Sequence, residues 1–195
     1  MRFSAYLGSA LALFPTVALS LTITPSLHSI CDSPSLVSET QIGENKDVTV
    51  QALKCANTIT TAAVNEARIR DLSSLEKRQV NVCTTDCTRN CFTPSGGGPD
   101  PNECHVISDA LLFNSENIGD LFTIPADAAV VTMQFRSCLT FFVNQAGVDE
   151  QFCRADWASI IDNVAFNCQA PQNAHGGNCV PQDQRWFIQV QNVNA

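Results

Sequence analysis

The chain has 195 residues, ten of them cysteine, with 15% charged side chains and a formal net charge of -8. That acidic balance excludes a general nucleic-acid binder, which needs a basic surface to displace counterions from phosphates, and anionic lipid headgroups would repel it too. Cysteines at this density belong to an oxidising compartment, and their spacing favours disulfides over zinc, because Cys83-x3-Cys87-x3-Cys91 is no finger or ribbon pattern and no Cys-x2-Cys pair occurs.

In chain order, residues 1–20 read as a signal peptide. Arg2 supplies a positive n-region, Ala10 to Leu19 an apolar h-region, and Ala18-Leu19-Ser20 a cleavage-like end. A membrane span needs about 20 apolar residues, and this run is shorter. No later stretch is long enough either, so the product is expected to be secreted and to have no membrane span.

Residues 21–78 read as a pro-segment ending in the dibasic processing site Lys77-Arg78. Such pairs are cut by proteases of the fungal and animal secretory route. This pair follows a signal peptide, directly precedes the dense cysteine block, and leaves Gln79 as a new terminus able to cyclise. Within the pro-segment, Val50, Leu53, Ala56, Ile59 and Ala63 have loosely helical spacing, and Cys31 and Cys55 are free to bridge each other. The segment would chaperone or mask the mature part, or be a poorly ordered spacer.

The mature domain, 79–195, keeps eight cysteines: Cys83, Cys87, Cys91, Cys104, Cys138, Cys153, Cys168 and Cys179. Four bridges among them have 105 connectivities, which sequence cannot separate. Charge divides at the same point. Residues 1–78 hold seven basic and seven acidic side chains, whereas 79–195 hold four arginines, no lysine and twelve acids.

Two helices are predicted. The first opens at Pro99-Asp100-Pro101-Asn102, with Asn102 as N-cap, and runs to Phe113 with Cys104, Ile107, Leu111 and Leu112 on one face. The second runs from Glu150 to Asn167, with Phe152, Cys153, Trp157, Ile160, Ile161, Val164 and Cys168 at spacings of three and four. Strands are predicted over 120–124, 129–135, 137–143 and 185–190. The third is apolar on both faces and therefore central. In the last, Trp186, Ile188 and Val190 point inward and Gln189 and Gln191 outward. The class expected is α+β: a small disulfide-rich sandwich, mostly antiparallel sheet with two helices packed on one face.

Candidate chemistry is sparse. His105 and His175 are the only histidines of 79–195; with Glu103 or Asp156 they would form the acid–base set of a small ribonuclease-like hydrolase. Asp149-Glu150 is explained as the negative opening of a helix, and Arg154 and Asp156 as ion pairs around Trp157. No Asp-x-Asp-x-Asp-Gly loop, phosphate loop or glycosylation sequon occurs, so neither a metal nor a cofactor is expected.

The element order carries a resemblance. A helix starting near Cys104 precedes a strand with Phe122; Ser137-Cys138-Leu139-Thr140-Phe141-Phe142 leads to a helix with Asp156-Trp157-x-x-Ile160-Ile161; Gly176-Gly177-Asn178-Cys179 leads to Trp186-Phe187-Ile188. This pattern, over Cys104 to Val190, resembles the fungal killer-toxin and necrosis-inducing secreted effector superfamily of small cysteine-rich α/β sandwiches. The resemblance implies a non-enzymatic secreted protein acting on other cells through an unidentified receptor or surface. It assigns no functional residue, and the lack of lysine in 79–195 argues against channel blockade. The alternatives are the hydrolase built on His105 and His175, and a cell-wall or carbohydrate-binding module with exposed aromatics.

Overall fold

A computed structural model describes residues 26–56 and 79–195. The signal peptide and the Lys77-Arg78 site lie outside the described residues, as do Ile59 and Ala63. Among the described residues there are ten strands: β1 (Ser35–Ile42), β2 (Val48–Lys54), β3 (Val80–Asn81), β4 (Cys87–Cys91), β5 (Leu121–Ile124), β6 (Val130–Phe135), β7 (Cys138–Asn144), β8 (Glu150–Cys153), β9 (Gly177–Pro181) and β10 (Trp186–Asn192). Two long helices, α1 (Pro101–Ile118) and α2 (Arg154–Asn167), join them, with a single helical turn at Leu27–Ile30.

The main sheet runs β1-β2-β6-β7-β10-β9-β4, every neighbouring pair antiparallel. A small second sheet, β3-β8-β5, pairs β3 with β8 in parallel. The α+β sandwich with a mostly antiparallel sheet is thus the architecture, with one more sheet than the apolar patterns indicated. Among the described residues no helix is long and apolar enough to cross a membrane.

Alternation decides which side chains meet the helices. Val131 and Met133 of β6, Phe142 of β7 and Trp186, Ile188 and Val190 of β10 share one core with Ile107 and Leu111 of α1 and Trp157, Ile161 and Val164 of α2. Five aromatics form its centre: Phe142 lies 5.1 Å from Phe152, 5.9 Å from Trp157 and 5.4 Å from Trp186, and Phe122 stacks on Trp157. Every residue of β7 is buried, as its two-faced apolarity predicts.

The structure corrects several local readings. Asp100, not Asn102, caps α1; its carboxylate accepts the Asn102 N–H at 2.9 Å. Pro101 then occupies the first turn, where its fixed φ suits a helix and its missing N–H costs nothing. The helix also continues past Phe113 to Ile118, through an exposed polar turn invisible to an apolar stripe, and stops at Gly119. Glu150–Cys153 is a strand, with α2 starting only at Arg154. Gln189 and Gln191 do face away from the helices, yet both are buried, opposite Phe141 and Leu139 of β7. The outer face of the sheet is therefore covered too.

The cover comes from the segment read as a pro-segment. Val50 and Leu53 belong to strand β2, not a helix, and residues 26–56 are not a loose spacer: β2 pairs with β6 over five residues. Ile30 and Cys31 pack with Leu53 against Val130, Leu139, Phe141 and Val143 on the outer face.

All ten cysteines are bridged: Cys31–Cys55, Cys83–Cys153, Cys87–Cys179, Cys91–Cys168 and Cys104–Cys138. The four-residue spacing of Cys87 and Cys91 places both on one face of β4. From there they reach β9 and the C-terminal end of α2. Cys153 and Cys168 bracket α2, and Cys104 ties the first turn of α1 to the start of β7. Gly177 makes room for this, because a Cβ there would lie 3.1 Å from Cys168 Sγ and clash with the Asn90 carbonyl.

Candidate functional site

The two histidines occupy different surroundings. His105, half-exposed on α1, places Nδ1 3.1 Å from both carboxylate oxygens of Asp162 on α2 and Nε2 3.7 Å from Asp109. The Asp162 hydrogen bond holds the imidazole above its ordinary pKa, against a smaller opposing effect of burial. Ser108, fully buried one turn on, donates to Asp162 Oδ1 at 2.8 Å and lies 3.1 Å from the Ala158 carbonyl. Histidine and serine thus share one carboxylate. The serine's partner is the carboxylate and not the imidazole, so the three do not form the serine–histidine–carboxylate relay of an activated nucleophile; the cluster fastens α1 to α2.

His175 sits in the loop before β9. Its Nδ1 contacts the Pro94 carbonyl and its N–H donates to the Phe92 carbonyl at 3.0 Å. It borders a shallow depression with Gly96, Gly97, Asn192 and Asn194. The partners proposed for the pair are occupied elsewhere. Glu103 accepts from the backbone and side chain of Ser137, which lowers its pKa, and Asp156 accepts the Thr84 N–H at 2.6 Å.

Asp156 also lies beside Cys83 and Cys153 in the one group of metal-type ligands found among the described residues. Those two sulfurs are joined as a disulfide, so they offer no thiolate to a metal. Arg154 and Asp156 are not the ion pairs expected. Arg154 donates to the carbonyls of Gly119 and Leu121 and lies over the Phe122 ring. Trp157 and Trp186 are fully buried, with Trp157 Nε1 donating to Thr140 Oγ1 at 3.1 Å. Neither can stack on a sugar.

Glu150 departs most from expectation. On β8 it is fully buried, and its carboxylate has no hydrogen-bond partner among the described residues. Burial pushes its pKa up to about 8 from the ordinary 4.5; Arg185 opposes the rise and Asp183 adds to it. The neighbouring Asp149 instead accepts the Ala126 N–H at 3.0 Å. Neither acid opens a helix, because the helix begins four residues later than the apolar spacing implies.

A cavity of about 400 Å³ opens between the β1–β2 hairpin and α1. Ile42, Val50, Leu111, Phe122, Val131 and Met133 supply apolar walls, and Lys46 and Arg154 are its cations. Its lining contains no carboxylate, histidine, serine or cysteine. Its mostly apolar walls suit apolar matter. Sequence reasoning missed it because six of its fourteen lining residues come from the segment read as a pro-segment.

No protein-family model matches the chain, and no curated protein matches it.

Proposed function

We propose that the chain is the precursor of a secreted, non-enzymatic, cysteine-rich effector, similar in kind to the fungal killer toxins, that acts on a receptor or surface of other cells. The observation that carries this reading is the partition of the disulfides. Cys31–Cys55 lies wholly before Lys77-Arg78 and the other four bridges wholly after it, so none crosses the proposed cut. A processed domain would keep every staple that orders it. Four bridges, each adding about 2–4 kcal/mol, suit a small domain exposed to an outside medium.

The non-enzymatic part is supported by the histidines. Each is engaged with its own neighbours, and the cavity between the hairpin and α1 is lined by neither a histidine nor a carboxylate. The test is denaturing mass and N-terminal sequencing of the protein in culture medium, then application of that protein to competitor and host cells. The expected product starts at Gln79, is lighter than its reduced form by the eight hydrogens of four bridges, and harms at least one cell type. A single uncut chain that starts near Leu21 and runs through Gln79, and that harms none, would overturn the reading.

A further inference from the structure

Residues 26–56 hold on to the remainder of the protein in three ways, none of them covalent apart from the chain itself. At the edge, β2 pairs with β6 from Leu53↔Val130 to Thr49↔Gln134. On the outer face, Ile30, Cys31 and Leu53 close over Leu139, Phe141 and Val143, and the Cys31–Cys55 bridge ties the helical turn to the end of β2. On the helix side, Val48 is fully buried in the main core, and the hairpin tip rests on α1. There the Gly43 N–H donates to Asn114 Oδ1 at 3.4 Å, and a Cβ on Gly43 would lie 2.9 Å from Ala110 Cβ.

Stripped of this segment, β6 would become a long apolar edge strand beside an uncovered Leu139–Phe141–Val143 face. That combination promotes edge-to-edge association. Gaining it by cleavage alone would require losing buried contacts on three surfaces at once.

We infer that cutting after Arg78 does not release the upstream segment: the processed protein is a two-chain complex in which residues 26–56 complete the sheet of residues 79–195 without any interchain disulfide. This rests on the precursor reading above. The segment is then a subunit of the finished protein, and the apolar cavity under its hairpin persists after processing.

The test uses the full chain with a specific protease sequence inserted after Arg78, cut in vitro. Gel filtration without denaturant is expected to show both fragments co-eluting at the position of the uncut protein. In denaturant without reductant they separate, since no bridge joins them. Elution of the upstream fragment by itself under native conditions would overturn the inference. Leu53→Asp places a charge in the outer-face cluster and is expected to weaken retention after cutting on the order of 100-fold. Its uncut form, with the segment still tethered, serves as the folded control. Unchanged retention in cut Leu53→Asp would also count against the proposed interface. N-terminal sequencing of the secreted protein decides the natural cut separately. An uncut chain in the medium defeats the precursor reading, while the engineered cut still decides whether the segment stays docked.

Discussion

Glu150 makes the stability of this protein depend on pH in a direction that its acidic composition would not suggest. The folded carboxyl titrates at about 8 and the unfolded one near 4.5, so between those values the native state holds a proton that the unfolded chain has lost. Stability must then fall as pH rises through this window, by up to about 1.4 kcal/mol per pH unit. From pH 5 to pH 8 the loss amounts to about 3 kcal/mol, a large part of the ~5–15 kcal/mol typical of a domain. Glu150→Gln keeps the shape and removes the charge. It should unfold in urea with nearly the same stability at pH 5 as at pH 8, and exceed the parent by about 4 kcal/mol at pH 8. His105 leaves a small residual slope of the same sign: its raised pKa adds stability present at low pH and lost as the imidazole deprotonates. The group is half-exposed, so water screens most of that effect. Urea titrations with the disulfides intact, at four or so pH values, measure all of this. A parent protein equally stable at pH 5 and pH 8, or a Glu150→Gln variant with the parent's slope, would refute the reasoning.

Asp162→Asn should bring the His105 pKa down toward its ordinary value, followed as an imidazole proton shift in an NMR pH titration; an unchanged midpoint would contradict the assignment of Asp162 as the cause. Phe142→Ala, at the centre of the aromatic cluster, should cost about 3–5 kcal/mol in urea unfolding. Replacing Cys87 and Cys179 together by serine opens a bridge of sequence separation 92 and should cost no more than about 4.6 kcal/mol. The actual loss should be smaller, because Cys83–Cys153 and Cys91–Cys168 already close most of the same loop. His105→Gln combined with His175→Gln should leave any activity on target cells intact; loss of activity with retained fold would restore the hydrolase alternative.

Much of the architecture was legible from local pattern. The stripe Trp157, Ile161, Val164 marks α2, the alternation Val131, Met133 marks β6, and unbroken apolarity marks β7 as central, because each periodicity follows from the geometry of one element alone. The cysteine count implied complete bridging for the same elementary reason. What sequence could not supply was everything decided by contact between distant elements. Phe152 and Cys153 fit the helical spacing of Trp157, yet pairing with Leu121 and Phe122 on β5 makes them a strand. Gln189 and Gln191 read as solvent-facing until Phe141 and Leu139 are placed opposite them. Glu150 acquires its pKa, and His105 its carboxylate on another helix, only after folding. The role of residues 26–56 was hidden most completely, since β1 is an exposed edge and β2 beside it is only half-buried, so neither carries a strong pattern of its own. Its place in the sheet is set by hydrogen-bond register with β6 and by the apolar faces it closes, and both exist only once the chain has packed.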